Sequence, residues 1–296
     1  MALIERFAAL SERLGHPYQI FKGSLWVEYQ RMVVPWGPIK LDYPLSGEEA
    51  AHLLARFPHA LLVRTTSSFA RIPASSWYAV ICDQIPSLGN ESELSKSSRY
   101  ELRQALDRCV VRSVDAEWLS QNGYPVYAAA YQRYGSPPGY TEAEFRRTTE
   151  LTRDFPDIVH YWAAFVGDVM IGYSKSFLFA PHELEISVLK LHPAYLKVGS
   201  SQAINYRILD EYLSSGLVEY VNDGFTTLYH QTQHQDFLIR RLGFRQAPLA
   251  LQLFYRPLVG GLMKVSYPFR QFIGKFNSKL RALYRLEEIR RSAEGK

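Results

Sequence analysis

The sequence predicts an α+β chain in which a mixed sheet is flanked by helices. Two stretches carry that expectation. IVHYWAAFV, VMIGYSKSFLFA and ELEISVLKL follow one another with only Gly167-Asp168 and Ala180-Pro181-His182 between them, which reads as an antiparallel meander of three strands. Helix and strand then alternate: a helix from Ser200 to Ser214 with Gly216 at its end, the strand LVEYV, a helix at about 230–242 closed by Gly243, and a last strand APLALQLFY. Hairpin strands followed by helical crossovers are the layer design of an α+β or mixed-sheet domain.

The elements before the meander follow from local pattern. MALIERFAALSERLG carries Glu5, Arg6, Glu12 and Arg13 at intervals and reads as an amphipathic helix. Short β-rich runs come next: YQIF, LWVEY and MVVPW. Ser46 followed by Glu49 is a capping-box pattern opening a helix. ALLVRTT and WYAVICD read as strands on either side of a Ser/Pro-rich loop. The polar segment GNESELSKSS leads into the helix RYELRQALDRC, the strand CVVRSV and two helices around 115–133 and 141–154, separated by the turn GSPPG. These breaks divide the chain into an N-terminal α/β lobe over 1–94, a second domain over 95–256 and a helical tail over 257–296.

Composition narrows the class. The chain has 296 residues, 47% hydrophobic and 21% charged, with 20 Tyr and 16 Phe, so it can bury a sizeable core, and disordered or fibrous classes are excluded. Two cysteines, Cys82 and Cys109, cannot make a Cys-based zinc site or a disulfide framework and suit a reducing compartment. No run approaches ~18 apolar residues and the N-terminus lacks the apolar stretch of a signal peptide, so the expected location is cytoplasmic. The net charge of +5 is localised: residues 256–291 hold nine Lys or Arg and two Glu, whereas residues 1–255 hold 24 basic and 26 acidic side chains. The basic excess belongs to the tail and does not advertise a nucleic-acid groove on the body.

DFLIRRLGFRQAPLALQLFY resembles the C-terminal signature of GNAT acyltransferases, a helix ending in Leu242-Gly243-Phe244 before the last strand. KSSRYELRQALDRCVVRSV, with Lys96, Arg99 and Arg103, and YLKVGSSQAINYRILDEYLSSGLVEYVNDG resemble the Fem-like branch, in which aminoacyl or acyl groups go to cell-wall or polysaccharide precursors. The resemblance covers about residues 90–256 and implies a GNAT-like mixed sheet, preceded by a degenerate GNAT-like lobe. It also implies an acyl-CoA donor, with aminoacyl-tRNA as the other donor and nucleic acid a partner only in that case. Two departures stand out. The glycine-rich pyrophosphate loop is replaced by Lys197-Val198-Gly199-Ser200-Ser201, and the Tyr that often serves as general acid in the last helix falls at Ile239.

The residues themselves suggest chemistry. On ELEISVLK, Glu183, Glu185 and Ser187 share one face at period two; paired carboxylates raise each other's pKa and leave one as a base for an amine. Glu185, deeper in the strand, is the preferred base, with strand amides near Ser187 for the oxyanion; an ordinary solvated acidic face is the alternative. Gly199, Ser200 and Ser201 open a helix and could face the donor's phosphates, although Ser is also an ordinary N-cap. Asp223-Gly224 ends the next strand, and the polar cluster Tyr229, His230, Gln233, His234 and Asp236 opens a helix after it; Tyr220, Asp223, Tyr229 and Gln233 are the candidates for holding substrate. His230 is a second candidate base; with Gln at 231 the zinc-protease pattern fails, and no metal is expected. Arg99 and Arg103 could meet phosphates of a donor or a lipid-linked acceptor, or simply line a solvated helix. Tyr124, Tyr127, Tyr131 and Tyr134 form an aromatic stripe that core packing explains by default.

In the tail, Phe269, Phe272, Ile273, Phe276, Leu280 and Leu283 follow helical spacing beside Arg270, Lys275, Lys279, Arg281 and Arg285. A basic helix with large aromatics on one face suits an anionic lipid surface, here the inner face of the plasma membrane; docking on the body or on a partner helix is the alternative. Together these readings describe an acyltransferase acting on an amine of a small or lipid-linked envelope or polysaccharide precursor. The other function class is a binding module that kept the fold without the chemistry.

Overall fold

The computed structural model describes residues 2–67, 76–133, 135, 137–228 and 233–293. In chain order its elements begin with α1 (Leu3–Leu14), β1 (Tyr18–Phe21), β2 (Ser24–Tyr29), β3 (Met32–Pro35), α2 (Gly47–Arg56), β4 (Leu62–Thr66) and β5 (Tyr78–Cys82). Next come α3 (Lys96–Arg108), β6 (Val110–Val114), α4 (Ala116–Asn122), α5 (Tyr124–Arg133), α6 (Glu142–Glu150), β7 (Val159–Val166), β8 (Val169–Phe179) and β9 (Glu183–Leu191). The remainder is α7 (Ser200–Ser214), β10 (Tyr220–Phe225), α8 (Gln233–Leu242), β11 (Arg245–Pro248), β12 (Leu251–Tyr255), α9 (Pro257–Ser266), α10 (Arg270–Phe276) and α11 (Ser278–Ala293). They form two compact units: Met1–Ala79 with Phe225–Gln233 and Ala247–Lys296, and Val80–Gly224 with His234–Gln246.

The first unit is built on a sheet ordered β1-β2-β3-β4-β12. β1, β2 and β3 are antiparallel neighbours, while β3 and β4 run parallel and are joined by α2 as the crossover. The capping box read from the sequence opens that helix: Glu49 N donates to Ser46 Oγ at 3.2 Å and Ser46 N donates to Glu49 Oε2 at 2.7 Å. α2 turns Ala50, Leu53 and Leu54 into a core with Trp26, Val33, Phe57 and Val63. Its C-terminal end is closed by Arg256, which follows β12 and donates to the carbonyls of Leu54, Phe57 and Ala60 at 2.5, 2.8 and 2.7 Å. One of these bonds reaches the last turn of α2 and the other two hold the 57–60 loop that follows it.

The second unit carries a mixed sheet ordered β11-β5-β10-β9-β8-β7-β6. β7, β8 and β9 form the expected antiparallel meander, β6 pairs antiparallel to β7, and β10 lies parallel to β9. α8 ends as the Leu242-Gly243-Phe244 signature requires. Leu242 and Phe244 are buried and Gly243 takes φ +71°, a conformation that favours glycine. The mixed sheet and flanking helices make the fold GNAT-like.

Two elements differ from the sequence reading. APLALQLFY is two strands in two different sheets, β11 and β12. At the break, Leu249 N donates to Trp77 O and Ser67 N donates to Ala250 O, so pairing partners rather than side-chain alternation decide where the strand ends. The tail consists of several helices. α10 stops at Asn277, which is extended at φ −147° and whose side chain accepts from the amides of Lys279 and Leu280, capping α11. Among the described residues no helix is long and apolar enough to cross a membrane.

Candidate active site

The meander and β10 assemble a polar cluster on one face of the second sheet. β10 pairs with β9 over three positions, Tyr220 with Glu183, Val221 with Leu184, and Asn222 with Glu185. No β9–β10 pair beyond Glu185 occurs among the described residues, so the rest of β9 is held only from the β8 side. On that side the ladder slips: Lys175 pairs with Val188 and Ser176 with Ile186, which leaves Ser187 without an opposite residue. Ser187 is thus the extra residue of a β-bulge, and it is exposed. A bulge unpairs a backbone amide and re-aims its side chain, and such features concentrate beside active sites.

Period two puts Glu183 and Glu185 of β9 and Tyr220 and Asn222 of β10 on the same face. Glu183 is fully buried. Its carboxylate accepts from Tyr220 Oη at 2.7 Å and from Asn222 Nδ2 at 3.0 Å. Glu185 keeps partial access to solvent. Burial, then the neighbouring Glu183 charge, push its pKa up to about 8, against the opposing pull of Lys175. Burial outweighs the carboxylate pairing that the sequence suggested as the cause.

Lys175 was not singled out in the sequence. It stands two residues before Phe177, the residue opposite Glu185, and its Nζ lies 5.0 Å from the Phe177 ring centroid. Burial brings its ammonium down to about 8, opposed by Glu185. Asn222 was likewise missed; only strand register shows that it reaches Glu183. Further along, His234 Nε2 lies 3.4 Å from Asp223 Oδ1. Tyr229 and His230, and the side chain of Gln233, lie outside the described residues.

The start of α7 holds Gly199, Ser200 and Ser201. No side chain caps this 15-residue helix and its first turn holds no acid. The hydroxyls of Ser200 and Ser201 and the amide nitrogen of Gln202 are buried without a hydrogen-bond partner among the described residues. Uncapped helix amides with spare donors suit a phosphate, so this end fits the phosphates of an acyl-CoA. Gly199 has a different task from close approach to a donor. It sits at φ +89°, and a Cβ there would lie 2.7 Å from Ala105 Cβ on α3. We expect Gly199→Ala to cost about 2–5 kcal/mol, combining ~1–2 for left-handed backbone and ~1–3 for overpacking. Adding Ala105→Gly should recover only the packing part in a denaturation series.

The remaining candidates have structural duties. Arg99 Nη1 donates to Leu94 O at 2.9 Å and Arg103 donates to Leu88 O, so both tie the 88–94 segment to α3. Tyr127 is buried against Tyr124, Tyr131, Tyr140 and Phe145, as core packing. A cavity of about 240 Å³ lies at the β6–β7 edge, lined by Asp115, Arg153, His160, Trp162 and Tyr212 among others. His160, Trp162 and Tyr212 occupy the sheet face that α7 covers, opposite to Glu185. Among the described residues no group of three or more His, Cys, Asp or Glu could hold a metal ion.

Two solved structures are similar in fold. The C-terminal domain of a proposed lysylphosphatidylglycerol synthetase from Agrobacterium fabrum matches over 88% of this chain and 91% of its own, with TM-score 0.56 at 11% identity. FemX matches over 88% and 92%, with TM-score 0.52 at 8% identity. At these identities the likeness is one of fold, and it spans most of the chain. No family model matches the sequence, and no curated protein does.

Proposed function

We propose that the chain is an N-acyltransferase of GNAT-like fold that passes an acyl or aminoacyl group to the amine of a small or lipid-linked cell-envelope or polysaccharide precursor. The observation that carries this reading is Glu185, poised near neutrality where β9 and β10 stop pairing and next to the bulge at Ser187. An acyl thioester or aminoacyl ester, when bound, supplies the activated carbonyl. Glu185 takes the proton from the acceptor ammonium, which must be free of it before its nitrogen can attack. As the C–N bond forms, the donor's C–S or C–O bond breaks, and the departing thiolate or alkoxide takes up a proton as it leaves. Glu183, pinned by Tyr220 and Asn222, keeps a negative charge beside Glu185 and strengthens it as a base. Backbone amides at the Ser187 bulge face the carbonyl oxygen as charge develops on it.

The partnerless hydroxyls of Ser200 and Ser201 favour acyl-CoA as donor. The lipid-linked acceptor draws support from a structural neighbour whose name joins a lysyl group to phosphatidylglycerol. A second reading, a binding module without catalysis, is favoured by Arg99 and Arg103 being engaged with backbone carbonyls.

A thermal-shift panel with CoA, acetyl-CoA and a long-chain acyl-CoA, alongside a tRNA mobility-shift assay, separates them. A ligand at ~100 times its Kd stabilises by about 2.7 kcal/mol, so one acyl-CoA should raise Tm by several degrees. Binding of aminoacyl-tRNA alone moves the donor assignment to that class. Binding of neither overturns the transferase reading in favour of the binding module.

A further inference from the structure

Six large apolar side chains stand out of the protein along α9, the turn at Tyr267–Phe269 and α10: Leu258, Leu262, Val265, Phe269, Phe272 and Phe276. Each is between 64% and 83% exposed. Their spacing is +4, +3, +4, +3, +4, the repeat that puts residues on one helical face. The first three were not read from the sequence as members of any face.

The opposite face is already used. Met263 and Gly274 are buried, and Gly274 packs on Arg281 of α11. The Tyr267 ring is covered by Arg270 at 4.4 Å and Arg291 at 3.9 Å. α11 itself turns Tyr284, Leu286 and Ile289 inward. The α9–α10 stretch is therefore docked through one face and leaves a long apolar stripe on the other, of the kind that marks an interaction surface.

Charge identifies the occupant. Residues 256–291 carry nine basic and two acidic residues, and both acids are engaged. Glu287 is held by Arg290 and Arg291, and Glu288 by Arg285. Lys264, Lys275 and Lys279 are exposed and have no side-chain partner among the described residues. Lys264 adjoins Val265 and Lys275 adjoins Phe276, so their charged ends flank the stripe while their stems extend it. A second copy of this chain would bring two such basic segments together, whereas an anionic bilayer offers both the apolar layer and the opposite charge.

We infer that α9 and α10 form an in-plane docking face for an anionic lipid surface, with the six apolar side chains immersed and the three lysines at the headgroups. This assignment is independent of the proposed catalysis. It is tested on the full chain by co-sedimentation with phosphatidylglycerol/phosphatidylcholine vesicles, against phosphatidylcholine alone and against raised salt. Binding should require the anionic lipid and weaken with salt. Phe272→Asp with Phe276→Asp should lower the partition at least tenfold. Lys264→Gln, Lys275→Gln and Lys279→Gln should each lower it about fivefold. All these positions are exposed, so circular dichroism and Tm should match the parent chain.

Failure of the parent chain to bind anionic vesicles overturns the inference, as does undiminished binding by the double Asp variant. Concentration-dependent dimerisation that the double Asp variant abolishes would assign the stripe to a second copy instead, and overturns it equally.

Discussion

Glu185→Gln is expected to lower kcat about 10²–10⁴-fold, the range that a positioned general base contributes, while leaving donor affinity within a few-fold. The amide keeps the shape of the side chain and cannot accept the proton. Because burial and the Glu183 charge hold this carboxyl at about 8, the rate in the parent chain should rise with pH and level off above that value. Lys175→Met should move the rise to higher pH, since the ammonium opposes the upward shift. A merely structural lysine would leave the midpoint where it was. Stability supplies an independent check with the opposite sign. A carboxyl raised on folding stabilises the fold below its unfolded pKa and loses that contribution as pH rises through about 8, so at pH 9 Glu185→Gln should have the higher Tm. Unchanged turnover in Glu185→Gln would remove this residue from the mechanism.

Glu287→Ala is expected to cost about 3–5 kcal/mol of stability, the usual result of removing one partner from a buried charge cluster. Glu287 is 1% exposed. It accepts from Tyr255 Oη at 3.1 Å, from Arg290 at 2.7 and 3.0 Å and from Arg291 at 2.7 Å, and so links α11 to the end of β12. Burial alone would raise its pKa, but the bonds from Arg290 and Arg291 outweigh that and hold it below the ordinary value. A carboxylate lowered on folding stabilises the fold above its unfolded pKa and loses that contribution as pH falls through its folded one. Acid titration of Tm should therefore be steeper for the parent chain than for the variant, and the two curves should approach each other at low pH. Parallel curves would show that Glu287 carries no pH-dependent contribution from these bonds.

Much of the site is local enough to read from the chain. Alternation along ELEISVLKL puts Glu183 and Glu185 on one face, and the short turns at Gly167-Asp168 and Ala180-Pro181-His182 determine that three strands follow one another. The Leu242-Gly243-Phe244 ending is likewise a matter of adjacent residues. What lay outside such patterns depends on pairing across the sheet. Ser187 becomes a bulge only because Lys175 and Ser176 meet Val188 and Ile186. Lys175 and Asn222 matter through neighbours on other strands, and the raised pKa of Glu185 comes first from burial, which no spacing reports. In the tail, helical periodicity was visible from Phe269 onward, yet Leu283 continues that pattern into a helix that Asn277 has redirected. Leu258, Leu262 and Val265 share a helix with Gly260 and Gly261, and their exposure shows only once α9 has packed through Met263.

The pairing of β4 with β12 joins Leu62–Thr66 to Leu251–Tyr255. As the chain leaves the ribosome, β1 to β4 emerge early, but the strand that completes their sheet follows almost two hundred residues later. Until then β4 keeps an open edge, the kind of surface that invites wrong partners. The second unit can finish its meander in the meantime, because those strands are neighbours in sequence. Synthesis thus leaves the N-terminal sheet incomplete until the chain is nearly finished, although most of its strands are made first.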